Sequence, residues 1–463
     1  MLRQGVILLA IGAMACAALG QTSGQAEIQP GKVYRVLLAN NKEVVGEVTD
    51  VGDAYKVKVG TGITQTVPKS RVLKLIPVEE QPDAAGGAAR RGAMSITQAE
   101  IEEILGSESV EDLYVWDYVE PIDLMEELEL NREALDEMLR IAGKSARYIE
   151  TPHFVCVYTS EPPKARELVA RLERVYEWNV QFTRMFQIPP RRPERKLEIF
   201  YFATHDEFIA YHTLMGMILP TGVLGMYMRT NNRCAFFDMD TWPPVARALE
   251  LSRDKNLPPD QRLRYKNEYE RWANLMNLEV IQHETTHLIH FNIGVFPKEG
   301  DMGKWLTEGL CVQFEVPPSQ AGGSFGAINY GRLHEWRQWY GPNGEAVTPQ
   351  LVRDVILSPG GGGHEYVMGW ALNYYLRKQF KEQYGKFMRQ IAALEDDWTV
   401  TQNPTDKLAQ FEECFGKLDE EWVKKFCEFI AAIPMRMDLV PEFPAEAAAR
   451  ATQPQGGRGR RGP

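Results

Sequence analysis

The run His283-Glu284-Thr285-Thr286-His287 constrains this chain more than any other stretch, because histidines at i and i+4 meet on one face only if the segment is helical. Its surroundings comply: Leu278, Ile281, Thr285, Leu288 and Ile289 recur at helical spacing, and Gly294 supplies a stop signal. One helical turn, roughly 5.4 Å, separates the two imidazoles, so a single metal ion can reach both. Glu284 follows the first histidine directly, and its carboxylate can take a proton from an attacking water without being a ligand. Glu308, 21 positions after His287 within Trp305-Leu306-Thr307-Glu308-Gly309-Leu310, completes a set of two histidines and one carboxylate. Such a set leaves a fourth position open, as catalytic zinc sites do and structural ones do not. Trp305 to Val316 reads as a second short helix, between Gly303 and Pro317-Pro318. With 8 His in 463 residues, the five-residue pattern arises by chance in roughly one such chain in a hundred.

His283, Glu284, His287 and the later Thr307-Glu308-Gly309 resemble the gluzincin metallopeptidases, whose third zinc ligand is a glutamate on a following helix. The metzincin pattern fails on spacing, since His290 and Ile293 stand where it needs Gly and His. From about Tyr148 to Phe380 the chain resembles an uncharacterised, secreted bacterial gluzincin-like family. The matching pieces are Glu150-Thr151-Pro152-His153-Phe154, Leu197 to Ala203 ahead of Asp206-Glu207-Phe208, the two metal segments, and Trp370-Ala371-Leu372 before Tyr374-Tyr375-Leu376. The resemblance implies an α+β fold: a gluzincin-like (thermolysin-like) catalytic domain over 148–440, with a mixed-sheet lobe and a helical lobe. It also implies Zn2+ as cofactor and a peptide or protein as substrate.

Met1-Leu2-Arg3 and the apolar run from Gly5 to Leu19 read as a secretory signal over 1–20, which predicts export to the periplasm or the exterior. Lipid anchoring at Cys16 is the alternative, against which the usual aliphatic residue three before it is missing. No later stretch approaches the roughly 18 apolar residues of a membrane span. A net charge of −11 disfavours nucleic acid as a partner. The cysteines beyond the signal, Cys156, Cys234, Cys311, Cys414 and Cys427, are odd in number and read mainly as buried apolar residues; Cys414 and Cys427 are the one pair worth testing for a bridge.

Short β-type runs alternate with turn signals over 28–79, which predicts a small all-β SH3-like barrel. Residues 80–95 read as a linker, 96–147 as a helical segment and 441–463 as a disordered tail. Thr97 and Glu100 form a capping box flanked by the staple pair Ile96 and Ile101. Strands are expected at His153 to Tyr158 and Leu197 to Ala203, with a long helix from about Pro163 to Phe186. Gly225-Met226-Tyr227 with Arg233 to Phe237 suits an edge strand along which an extended peptide could pair. Residues from Ala371 to Ile433 are again helical in pattern.

Gly360 to Gly363 lacks the Lys-Ser/Thr of a phosphate loop and reads as an ordinary loop. It leads into His364-Glu365-Tyr366, where Tyr366 is the first choice and His364 the second for a donor to the oxyanion; a packed aromatic is the alternative. His290 stays outside the ligand set, Cys311 is read as a core residue, and Glu315 as a solvated glutamate rather than an outer carboxylate that orients a histidine. His153, His205, His212 and His334 have no ligand spacing. The expectation is an exported zinc hydrolase, most simply a peptidase, with His283, His287 and Glu308 as ligands, Glu284 as base and Tyr366 as donor. Two alternatives remain: a catalytically silent gluzincin-fold protein that binds a wall or surface ligand, and an interaction or structural protein in which the SH3-like module and the helical lobe carry the function.

Overall fold

The structure, a computed structural model, describes residues 28, 33–38, 43–52, 54–59, 63–77, 93–105, 122–220, 222–298, 300, 302–316, 325–342, 344–358, 360, 363–394 and 404–440. The expected signal (1–20, with Cys16) and the tail (441–463) lie outside these residues. The chain divides into two compact units, Met1–Arg90 and Arg91–Pro463.

The first unit is a five-stranded antiparallel sheet made of β1 (Val33–Leu38), β2 (Glu43–Asp50), β3 (Ala54–Val59), β4 (Ile63–Pro68) and β5 (Val72–Pro77), in the order β4-β3-β2-β1-β5. Side chains alternate across a strand, so Tyr34 and Val36 in β1 and Tyr55 and Val57 in β3 fall on one face, where they bury a small core with Val48 and Val67.

The second unit carries a six-stranded mixed sheet. Its strands are β6 (Ala93–Ser95), β7 (Arg147–Glu150), β8 (Phe154–Tyr158), β9 (Leu197–Phe202), β10 (Gly225–Met228) and β11 (Arg233–Phe237), in the order β10-β11-β9-β8-β7-β6. Interspersed and following are α1 (Gln98–Leu105), α2 (Arg132–Ala142), α3 (Pro162–Met185), α4 (His205–Leu214), α5 (Pro243–Arg253), α6 (Pro259–Ile293), α7 (Lys304–Cys311), α8 (Tyr330–Tyr340), α9 (Pro349–Leu357), α10 (His364–Gln379), α11 (Lys381–Ala392), α12 (Pro404–Phe415) and α13 (Glu420–Ala432).

The central strands are apolar on both faces because both are covered. Phe154, Cys156, Ile199 and Phe236 join the large core that includes α3 and the end of α6, while Val155, Val157, Phe200 and Phe237 face the cluster with Leu135, Met138 and Phe208. The sheet thus clamps α6 through its last turns, where the histidines lie. Asn179 of α3 donates to Thr286 at 3.4 Å, and Asn232 and Asn292 exchange hydrogen bonds at 3.0 and 2.8 Å, fastening the β10–β11 turn to α6.

The capping box is present: the Thr97 amide donates to Glu100 Oε2 at 2.9 Å, and both staple residues are buried. One expectation needs correction. Ala93–Ser95, assigned to the linker, are strand β6 and pair in parallel with β7, because their backbone groups meet the open edge of that strand. Within 96–147 the described residues include helices α1 and α2 and fall in the same unit as the sheet. Cys414 and Cys427, the pair worth testing for a bridge, are both free.

Candidate metal centre

Helix α6 ends in a glycine cap, with Gly294 left-handed at φ 91°, and delivers His283, Glu284 and His287 on its last turns. Helix α7 delivers Glu308. What brings α7 to the site is a close helix crossing: a Cβ on Gly309 would lie 2.3 Å from the carbonyl carbon of Gly369 in α10, and one on Gly369 would lie 2.7 Å from the Trp305 oxygen. Only glycine at both positions lets the two backbones meet. Asn373 of α10 donates to the Trp305 oxygen at 3.1 Å and receives a hydrogen bond from Tyr384 at 2.9 Å, which holds the crossing. Gln282 bonds to the Phe314 carbonyl just beyond α7 and ties the two ligand-bearing elements together.

The result is a near-equilateral triangle of donor atoms. His283 Nε2 and His287 Nε2 are 3.1 Å apart, and Glu308 Oε2 lies 3.1 and 3.0 Å from them. A tetrahedral ion with bonds of about 2.0–2.1 Å spaces its ligands by about 3.3 Å, so the triangle fits one ion with small adjustment. His283, His287 and Glu308 are buried together and could hold a metal ion.

Both imidazoles are oriented through their other nitrogen. His283 Nδ1 is 2.9 Å from Glu315 Oε1, and His287 Nδ1 is 3.3 Å from Cys311 Sγ. Glu315 is in turn held by Asn329 at 3.0 Å and by Arg332 at 3.4 Å. Such outer partners set the tautomer that leaves Nε2 free to bind metal. This corrects the sequence expectation for Glu315: only 4% exposed, it is an orienting carboxylate and not a solvated one. Cys311 is a core residue, as expected, and also touches a ligand. His290 is fully buried among Phe182, Phe296 and Phe314, outside the triangle, and burial pushes its pKa well down.

The charge balance favours a cation. Glu284, Glu308 and Glu315 face two basic side chains, Arg332 and Lys304. Burial alone would lower His283, but its contacts with Glu308 and Glu315 outweigh this and raise it to about 10, so the pocket calls for positive charge where an ion would sit. Burial raises Glu308 less than the two imidazoles lower it, which leaves it ionised well below the usual range. Glu284 is raised by burial, against the opposing histidines, in the direction that suits a base.

The Glu284 carboxylate accepts from the backbone N–H of Tyr227 at 2.7 Å, so the edge strand β10 runs beside the base. Gly225 permits this, for a Cβ there would lie 2.5 Å from Val280 Cγ1 of α6. Tyr366, at the start of α10, places its ring 5.9 Å from that of His283, under the Arg332 guanidinium. Burial and the Glu308 and Glu284 carboxylates push its phenol pKa well up. His364 is occupied by Tyr340, whose hydroxyl meets its Nδ1, and it packs against Trp339. Sequence reasoning missed Lys304, Asn329 and Arg332. Lys304 carried a signal, one turn before Glu308 on the same helix; the other two carried none beyond the cap-forming character of Asn329.

Residues 277–395, which span the triangle, match a family described as Protein of unknown function (DUF1570). Comparison with curated proteins gives no match. Among the described residues, no helix is long and apolar enough to cross a membrane.

Proposed function

We propose that this chain is an exported zinc-dependent peptidase of gluzincin type, with an SH3-like module at its N-terminus. The observation that supports it most is the combination of the donor triangle with Glu284, whose carboxylate lies on the free edge of β10 rather than in the triangle. A pure metal-binding or packing role needs no unliganded carboxylate there.

When bound by His283, His287 and Glu308, zinc supplies Lewis acidity that polarises a carbonyl and makes an attacking water more acidic. Glu284 takes the proton of that water as it adds to the carbonyl carbon, then returns it to the leaving amine as the C–N bond breaks. Tyr366, kept neutral by its burial and its carboxylate neighbours, donates a hydrogen bond to the developing oxyanion. The Tyr227 N–H orients Glu284, and an extended peptide pairs with the outward backbone groups of β10. Glu315 and Cys311 hold the two histidine rings.

Metal content and cleavage of a mixed peptide library, measured together on the mature protein, His287→Ala and Glu284→Gln, test the proposal. Stoichiometric zinc in the parent, its loss in His287→Ala, and zinc retained without cleavage in Glu284→Gln are expected. Zinc without cleavage in the parent would favour the binding-protein reading, and no bound metal would refute the centre itself.

A further inference from the structure

We propose that Lys304 is a positioning residue that restricts Glu308 to one-oxygen metal binding and so keeps the fourth position of the centre open; the inference rests on the metal centre proposed above. The two oxygens of Glu308 are divided between partners: Oε2 faces both histidines, while Oε1 accepts from Lys304 Nζ at 2.8 Å. That distance is in the range of charge-assisted hydrogen bonds. An exposed i,i+4 pair contributes little; here the Lys304 side chain is half exposed but the Glu308 side chain is only 7% exposed, so water screens the pair from one side alone. A carboxylate whose outer oxygen is free can rotate until both oxygens face the ion. Here that rotation would strip the ammonium of its bond in a site with a surplus of carboxylates.

The lysine stem, half exposed, passes close to the backbone at Gly360. Gly360, left-handed at φ 99°, lies so close to it that a Cβ would be 2.8 Å from Lys304 Cγ. This gives a function to the first residue of the glycine run that the phosphate-loop pattern left unexplained. Glycine at 360 leaves room for the lysine stem where a side chain would press on it.

The test compares the parent with Lys304→Met and Lys304→Arg by zinc X-ray absorption, competition with a chelator, and peptide hydrolysis. In Lys304→Met we expect stoichiometric zinc of unchanged or tighter affinity, an added oxygen at the zinc, and kcat lower by about tenfold or more with KM little changed. Lys304→Arg, which keeps the charge, should restore the parent coordination and most of kcat. Unchanged coordination in Lys304→Met, with zinc affinity and thermal stability falling together, would overturn the proposal and leave the lysine a structural role. Should Lys304→Met not fold, Lys304→Gln removes the charge and carries the same expectation. A parent that binds zinc but cleaves nothing would defeat the peptidase reading, yet the coordination comparison would still decide the role of Lys304. A parent without zinc would overturn both.

Discussion

Gly309→Ala tests whether the α7–α10 crossing sets the metal centre. The added methyl would sit 2.3 Å from the Gly369 carbonyl carbon, 2.5 Å from its oxygen and 2.7 Å from its Cα, all backbone atoms that cannot swing away. Restoring an ordinary contact of about 3.4 Å requires the helices to part by about 1 Å in a close-packed interior. Overpacking of this kind costs about 1–3 kcal/mol. Replacing a helical glycine returns up to about 1 kcal/mol of propensity, leaving a net loss near 1 kcal/mol. For a unit of this size that lowers the melting temperature of metal-free protein by roughly 1–2 °C. The centre should suffer more, because Glu308 precedes Gly309 and moves with it: about 1 Å of displacement can cost on the order of a hundredfold in activity. The assay pairs thermal unfolding with chelator competition and peptide hydrolysis. Gly385→Ala in α11 is the control, since its Cβ meets only the end of the flexible Arg389 side chain closer than 3.6 Å. It should keep zinc affinity and be neutral or slightly more stable. Parent-like melting and zinc affinity in Gly309→Ala would refute the claim that the crossing positions Glu308.

Glu315→Gln should weaken zinc binding by about 10–100-fold, since it replaces the carboxylate on His283 Nδ1; equilibrium competition with a chelator measures it. In metal-free protein His283 titrates near 10, above its ordinary 6.5, so its stabilising contribution is complete below pH 6.5 and is lost as the pH rises through about 10. Over the same window zinc affinity should increase with pH as the competing proton leaves; denaturant unfolding and zinc titrations at several pH values check both, and a flat profile would contradict the assignment. Gly225→Ala should press β10 off Val280 and loosen the Tyr227–Glu284 hydrogen bond, lowering hydrolysis while zinc content stays stoichiometric.

Sequence alone determined what depends on local periodicity. Histidines at i and i+4 share a face whatever surrounds the helix, so His283 and His287 were legible as a pair, with Glu284 turned off their axis. The capping box at Thr97 and the glycine stop at Gly294 were legible for the same reason: their partners lie within a turn. Short β-type runs between turn signals announced the strands of the first unit, and Gly225 to Tyr227 announced the edge. Glu308 came from motif spacing and resemblance, not from any local physical rule. Tertiary structure decided the rest, because it depends on contacts between residues that sequence distance does not order. Glu315 reads as a surface glutamate until the end of α7 is seen folded against α6, where His283, Asn329 and Arg332 surround it. Gly309 and Gly369 look unremarkable separately, and only their mutual approach shows why neither can carry a side chain. Ala93 to Ser95 lie next to a stretch with linker composition, yet a neighbouring strand with unpaired backbone groups recruits them as β6. For Glu315 burial changed the role of the residue, by removing the water that would otherwise have satisfied its charge.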